Sequence, residues 1–195
     1  MSKKEPRKIK IMIASAVYGF EDQLSAIAAQ LKTMGYEALN SHCGSIRVDP
    51  KISNLENCLN AVGECDLFIG IIRPYCGSGN IGEKNITFEE IKEAIRLEKP
   101  YWFLVHRDVV FARTLFKKMK KKAGCEIEMT DNKFFDLLSI EMYEYVIKNH
   151  MPATLRSGNW AQEFYRLDNI MTYIMTQFSN KELITSMIKR KKNEK

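Results

Sequence analysis

The amino-acid sequence has no uninterrupted run of about 18 apolar residues, so we expect no transmembrane helix and no membrane partner. No small-residue cleavage site follows the basic N-terminus at the spacing of a signal peptide, which favours a cytoplasmic protein. The five cysteines include no C-x-x-C pair, and their odd number favours reduced thiols over a disulfide framework. His42 and Cys43 lack a second ligand pair at zinc-like spacing, so we expect no metal site.

Aromatic residues are almost absent from the clusters of basic residues, which argues against a specific nucleic-acid partner. The formal net charge is +6, but residues 1–10 and 189–195 each carry five basic residues against one acidic residue. The rest of the chain is therefore slightly acidic, and the charged ends are typical of solvated tails. With 195 residues, 45% hydrophobic and 28% charged, the composition indicates one globular domain, at most extended by helices.

Apolar runs alternate with amphipathic segments in the first half of the chain, as in proteins with a parallel α/β sheet. Strands are predicted at residues 9–15, 36–39, 66–72 and 101–105, and helices at residues 20–34, 53–65 and 87–97. Residues 1–107 are thus predicted to form an α/β domain, with a flavodoxin-like parallel sheet of four or five strands flanked by helices. In the helix at 53–65, Leu55, Leu59 and Val62 are expected to face inward.

The second half of the chain has helical periodicity. Helices are predicted at residues 109–122, 134–149, 160–178 and 181–192, with a break at residues 124–132. Trp160 shares a helical stripe with Phe164, Leu167 and Met171, which predicts a buried indole with a bonded N–H. Residues 108–195 are therefore predicted to be a helical extension that packs on the α/β domain in a single structural unit.

Open parallel sheets bind ligands beyond the carboxyl ends of their strands, so the residues that follow each strand are candidate substrate-binding residues. Ser15 and Tyr18 follow the first predicted strand, and the loop after residues 66–72 supplies a second group. That group is Arg73, Tyr75, Gly77 and Ser78. The glycines of this loop match a dinucleotide fingerprint poorly, because they lie far from the strand and from the next helix. A mobile loop over a site fits the pattern better.

Thr87 and Glu90 form the T-x-x-E pattern at the start of the helix at 87–97. One interpretation is structural: a capping box, in which the hydroxyl and the carboxylate bond backbone amides of the first turn. The other interpretation is functional, because the same position puts a carboxylate at the mouth of the cleft beyond the strand ends. The sequence leaves both open.

Three stretches carry a resemblance to known proteins. They are Ser15 with the downstream Glu21-Asp22, then D-L-F-I-G-I-I-R-P-Y-C-G, then T-F-E-E-I-K-E-A-I-R-L-E-K-P followed by an apolar strand. The chain resembles an uncharacterised bacterial domain family grouped with TIR domains and nucleoside 2-deoxyribosyltransferases. Thr87, Glu90, Ala94, Lys99 and Pro100 occupy the positions of the deoxyribosyltransferase pattern T-x-x-E-x-x-x-A…K-P. The resemblance implies a TIR-like fold.

The resemblance also implies a function, because both characterised branches cleave the bond between a ribose-type sugar and a base. It makes Glu90 the catalytic residue, with Thr87 and the residues after the strands binding substrate. NAD is then the expected substrate, no cofactor is needed, and self-association and a role in stress or phage defence are expected. Two alternatives stay open: a non-catalytic nucleotide-sensing or protein-interaction module, and a deoxyribosyltransferase.

Overall fold

The computed structural model describes residues 7–76, 80–81, 84–123 and 135–193. Gly77 and Ser78, the sequence-predicted substrate contacts, and the predicted break at residues 124–132 lie outside the described residues. Within the part of the chain that is described, no helix has the length and apolar character needed to span a bilayer.

Of the seven strands in the described residues, five form one parallel sheet. The strands are Lys10–Ser15 (β1), Glu37–Leu39 (β2), Leu67–Ile72 (β3), Asn80–Ile81 (β4), Lys84–Asn85 (β5), Tyr101–His106 (β6) and Ala161–Phe164 (β7). The sheet has the order β2-β1-β3-β6-β7 with every pair parallel, and β4 and β5 form a separate antiparallel hairpin. The predicted α/β fold with a parallel sheet is therefore confirmed.

Helices cover both faces of the sheet. They are Glu21–Thr33 (α1), Asn54–Glu64 (α2), Ile86–Arg96 (α3), Arg107–Ala123 (α4), Leu137–Val146 (α5), Leu167–Phe178 (α6) and Lys181–Asn193 (α7), with a turn of 3-10 helix at Ala153–Leu155. Successive residues of the strands alternate between two buried clusters: Ile11 and Ile13 of β1 pack with α1, α6 and α7, whereas Met12 and Ala14 pack with α2 to α5. Burial on both faces explains why the strands are continuous apolar runs.

The second half of the chain is not wholly helical, which corrects the sequence-based expectation. Residues 161–164 form β7, which pairs with β6 at the edge of the sheet, and the helix begins only at Leu167. The side chain of Trp160 is 71% exposed rather than buried, so truncating it should cost far less than a core residue would. The extension thus completes the sheet as well as packing on it.

Gly70 lies in the middle of β3, where the ring of Phe103 on β6 approaches the backbone closely. A Cβ atom built on Gly70 would lie 2.8 Å and 2.9 Å from two carbon atoms of that ring. We therefore expect Gly70→Ala to lower the free energy of unfolding by about 1–3 kcal/mol, through overpacking in a buried sheet. Gly63 of α2 is the matched control, because its Cβ would meet nothing within 4 Å. Gly63→Ala should be neutral or stabilising in the same denaturant titration, and equal losses in both variants would contradict the overpacking explanation.

Candidate active site

A cleft of about 450 Å³ opens beyond the carboxyl ends of β1 and β2, on the face of the sheet that α2 and α3 cover. β2 and β3 lie on opposite sides of β1, so the topological switch point, where open α/β sheets bind ligands, lies at the carboxyl ends of β1 and β3. The cleft extends to this point, because Ala16 after β1 and Cys76 after β3 both line it. It is lined by Ser15, Ala16, Val17, Tyr18, Ser41, Gly44, Ile46, Val48, Asn54, Asn57, Cys58, Cys76, Ile86, Thr87 and Glu90.

The start of α3 positions Glu90, and it does so differently from the predicted capping box. Asn85 caps the helix: its side-chain oxygen accepts a hydrogen bond of 3.1 Å from the backbone N–H of Phe88. The helix therefore begins two residues earlier than the T-x-x-E pattern indicates, and Glu90 is its fifth residue. Thr87 is a buried residue of the first turn, not the cap. The structural interpretation of Glu90 as a capping carboxylate is wrong.

Glu90 occupies a position on α3 where an apolar residue would be expected. Thr87, Glu90, Ile91 and Ala94 are all buried, at the i, i+3, i+4, i+7 spacing of an inward helix face. The side chain of Glu90 is 4% exposed, and burial raises the pKa of its carboxyl group from the ordinary value of 4.5 to about 8. A carboxyl group that is neutral at pH 7 and borders a cleft is a candidate for acid–base or electrostatic chemistry.

Cys58 of α2 lines the same cleft as Glu90. Its thiol lowers the pKa of the Glu90 carboxyl group, against the larger effect of burial. Burial raises the pKa of the Cys58 thiol to about 12, and the nearby Glu90 contributes a smaller part of this increase. This cysteine is therefore not a nucleophile at neutral pH. The sequence treats Cys58 and Cys65 alike as core residues. The structure separates them, because only Cys58 of these two lines the cleft.

Asn57 supports the wall of the cleft that comes before α2. Its side-chain amide donates to the carbonyl oxygens of Asp49 (3.0 Å) and Ser53 (3.1 Å), and its side-chain oxygen accepts from the N–H of Asp49 (2.7 Å). These bonds keep Asn57 buried, so the inward face of α2 is Asn57, Cys58, Ala61 and Val62. The predicted inward residues Leu55 and Leu59 are only half-buried. Asn57 can be buried in place of an apolar residue because its side-chain hydrogen bonds are satisfied there.

Arg73 supports the opposite wall instead of facing the cleft. Its guanidinium group donates to the carbonyl oxygens of Ala16 (3.1 Å), Tyr18 (3.1 Å) and Gly19 (3.3 Å) and lies 4.4 Å from the centre of the Phe20 ring. The sequence analysis predicts that Arg73 binds substrate. In the structure, its hydrogen bonds instead stabilise the segment between β1 and α1.

Tyr18 stands at the mouth of the cleft on that fixed segment. Its ring is 73% exposed and lies 5.7 Å from the ring of Tyr75, which does not line the cleft. Of the predicted site residues, the structure thus brings together Ser15, Tyr18, Thr87 and Glu90. It adds residues that the sequence analysis missed, chiefly Asn57 and Cys58. Ser53 and Glu56 form a capping box that fixes the start of α2. This pattern is visible in the sequence and could have been used to place Asn57 and Cys58 near the start of the helix.

No group of three or more His, Cys, Asp or Glu side chains within the described ranges could hold a metal ion. The lining residues above include one carboxylate, two thiols and several hydroxyl and amide groups, but no arginine or lysine. The chemistry that this set offers is therefore electrostatic and hydrogen-bonding.

Residues 10–152 match the family described as Domain of unknown function (DUF4062). The chain belongs to this family. The match confirms the coarser part of the resemblance, an uncharacterised domain family, and says nothing about TIR domains or deoxyribosyltransferases. It also runs across the predicted boundary at residue 107, so the DUF4062 domain includes α4 and α5.

No curated protein matches the chain. Among solved structures, the chain is similar to the Clostridium botulinum CMP N-glycosidase BcmB, with 14% sequence identity and a TM-score of 0.48. The similarity covers 86% of this chain and 98% of that chain.

Proposed function

We propose that this DUF4062 protein cleaves the N-glycosidic bond of a nucleotide or nucleoside, with Glu90 as the catalytic residue. The observation that carries the proposal is a fully buried carboxyl group that borders an open cleft at the carboxyl edge of a parallel sheet. A carboxyl group in such a place costs stability, and Glu90 forms no ion pair with a described residue that would compensate for this cost, so a functional reason for its burial is needed.

The chemistry needs one carboxylate. When the bond between the sugar and the base breaks, the base leaves with the electron pair and positive charge develops on the sugar ring. An ionised Glu90 beside that ring stabilises the charge, and the low dielectric of a buried site strengthens the attraction. Water then adds to the anomeric carbon and releases a proton, which neutralises a base that has left as an anion and passes to the solvent where the base has left as a neutral molecule. The developing positive charge also favours ionisation of Glu90, so a carboxyl group that is neutral in the empty cleft can become a carboxylate during the reaction.

The other lining residues fit a sugar and a base. Ser15 and Thr87 line the same cleft as Glu90, and their hydroxyl groups can bond sugar hydroxyls. The exposed ring of Tyr18 offers a stacking surface for a base. NAD is the finer hypothesis, since its nicotinamide is already cationic and leaves without a general acid. Self-association and a role in stress or phage defence accompany that hypothesis.

One observation favours a second candidate, a module that binds a nucleotide without cleaving it. Glu90 is the only carboxylate among the described residues that line the cleft, and its pKa of about 8 keeps it protonated in the empty protein at pH 7. A protonated carboxyl group can act as a hydrogen-bond donor to a ligand instead of stabilising a cation.

The test is to incubate the full chain with NAD, NADP, nucleoside monophosphates, ribonucleosides and deoxynucleosides at several protein concentrations, and to separate the products by chromatography. Free base together with the free sugar or sugar phosphate is the expected result. Transfer of the sugar to an added second base would instead indicate a deoxyribosyltransferase. Saturable binding of one of these compounds without any product would favour the binding module.

A further inference from the structure

The outward face of α4 carries a row of exposed apolar side chains. Phe111, Leu115 and Met119 are 66%, 41% and 40% exposed, and their spacing of four residues places them along one ridge of the helix. Val109, on the inward side of the same helix, is fully buried. Single exposed apolar residues are normal on protein surfaces, whereas a contiguous row of them marks a contact surface.

An exposed aromatic ring lies at the start of the same helix. Tyr165 follows β7, and the guanidinium group of Arg107, the first residue of α4, lies 4.0 Å from the centre of its ring. Tyrosine and arginine both combine an apolar body with a polar end, which suits them to the boundary between water and lipid.

The sequence of α4 is strongly basic. Asp108 is its one acidic residue, whereas seven residues are basic, namely Arg107, Arg113, Lys117, Lys118, Lys120, Lys121 and Lys122. Arg113 and Lys117 pair with Glu144 of α5, at 3.1 Å and 3.0 Å. Arg107 and Lys118 are exposed on the same side of the helix as the apolar row. The helix therefore presents apolar and positively charged side chains to solvent together.

We propose that this outward face of α4, formed by Phe111, Leu115 and Met119 with Arg107 and Lys118, docks on an anionic lipid surface. The apolar side chains enter the boundary between headgroups and acyl chains, and the basic side chains contact the negative headgroups. The contact lies on the surface of the bilayer, so it needs no helix that crosses it, on which the expectation of no membrane partner rests.

The combination of side chains favours lipid over other partners. A nucleic acid would engage the charges and leave the apolar row in water. Pairing of α4 with α4 of a second copy would bring two basic helices together. A partner protein would have to supply an acidic and apolar groove of matching shape, whereas a fluid lipid surface accepts both kinds of side chain without one.

The test is sedimentation of the full chain with vesicles of phosphatidylcholine alone, or of phosphatidylcholine and phosphatidylglycerol in equal parts. We expect binding to the mixed vesicles that weakens as the salt concentration rises, and little binding to phosphatidylcholine alone. Absence of binding to the mixed vesicles overturns the proposal. No substrate is present, so the outcome does not depend on the proposed function.

Two matched pairs of variants locate the contact. Leu115→Gln and Met119→Gln should each weaken binding to the mixed vesicles by about fivefold, because each removes apolar surface that would leave water. Leu183→Gln on α7 and Met175→Gln on α6 replace exposed residues of the same types and should bind as the wild type does. Glutamine keeps the helix propensity, and exposed substitutions of this kind change stability little. Equal losses in both sets, or no loss on α4, would place the contact elsewhere and overturn the proposal.

The charged part of the surface is tested by Lys118→Gln, which should weaken binding to the mixed vesicles by about fivefold at low salt. Lys32→Gln on α1, also exposed, is the control and should have little effect. Polyglutamate and double-stranded RNA offer negative charge without an apolar phase. If the chain binds either polymer but not the mixed vesicles, the partner is an acidic protein or a nucleic acid, and the lipid proposal is wrong.

Discussion

Replacing Glu90 by glutamine should lower the rate of base release by about 100-fold or more. The substitution keeps the size and burial of the side chain but removes the negative charge that would stabilise the developing sugar cation. Since Asn85 and not Glu90 caps α3, the loss cannot be attributed to an unravelled helix start. The measurement is kcat/KM for release of the base from whichever compound the wild type cleaves, with folding checked by circular dichroism.

Glu89→Gln is the matched control. Glu89 is the adjacent residue on α3, but it is partly exposed and pairs with Lys92 instead of lining the cleft. Its activity should stay close to that of the wild type. If Glu90→Gln were as active as the wild type, Glu90 would have no part in the mechanism.

The pH profile of the wild type gives an independent check of the same mechanism. If the ionised form of Glu90 is the active one, kcat/KM should rise about tenfold per pH unit below pH 8 and level off above it, because the pKa of the free protein is about 8. Glu90→Gln should lose this limb of the profile. A rate that falls as pH rises through 8 would instead mean that the protonated carboxyl group acts, as a general acid.

The sequence predicts the sheet because its central strands are buried on both faces and are therefore apolar throughout. It fails at residues 160–164, where a strand of four residues precedes a helix and its apolar positions also fit helical spacing. A short edge strand has too few residues for a period of two to be distinguished, and only its pairing with β6 decides the structure. Trp160 then lies before an edge strand and not on the inward face of a helix.

The candidate site is predictable where it depends on one element and not where it depends on two. The position of Glu90 on the inner side of α3 follows from the apolar periodicity of that helix. That Cys58 lines the same cleft depends on the packing of α2 against α3. The burial of Asn57 depends on hydrogen bonds to a loop that the sequence does not place. Arg73 shows the same limit, since a cation after a strand can hold a neighbouring loop as well as a substrate.

Burial of Glu90 also predicts how the stability of the protein depends on pH. In the unfolded chain the carboxyl group titrates near its ordinary pKa of 4.5, and in the folded protein its pKa is about 8. Below pH 4.5 the group is protonated in both states and has no effect. Between pH 4.5 and pH 8 the folded state keeps the proton and the unfolded state releases it, so stability falls as pH rises, by ~1.4 kcal/mol per pH unit. Above pH 8 the difference stays constant.

The free-energy difference between Glu90→Gln and the wild type should therefore grow with pH. It should be smallest near pH 4.5 and should increase in favour of the variant by on the order of 5 kcal/mol by pH 8, because glutamine resembles the protonated carboxyl group at every pH. This increase in the free energy of unfolding is large compared with the total stability of a domain. It is expected if the buried carboxyl group is kept for activity although it lowers stability. Denaturant titrations at half-unit pH intervals measure it, with Glu89→Gln expected to run parallel to the wild type. Parallel curves for Glu90→Gln as well would mean that the carboxyl group ionises freely in the folded protein, and the electrostatic basis for a catalytic Glu90 would be lost.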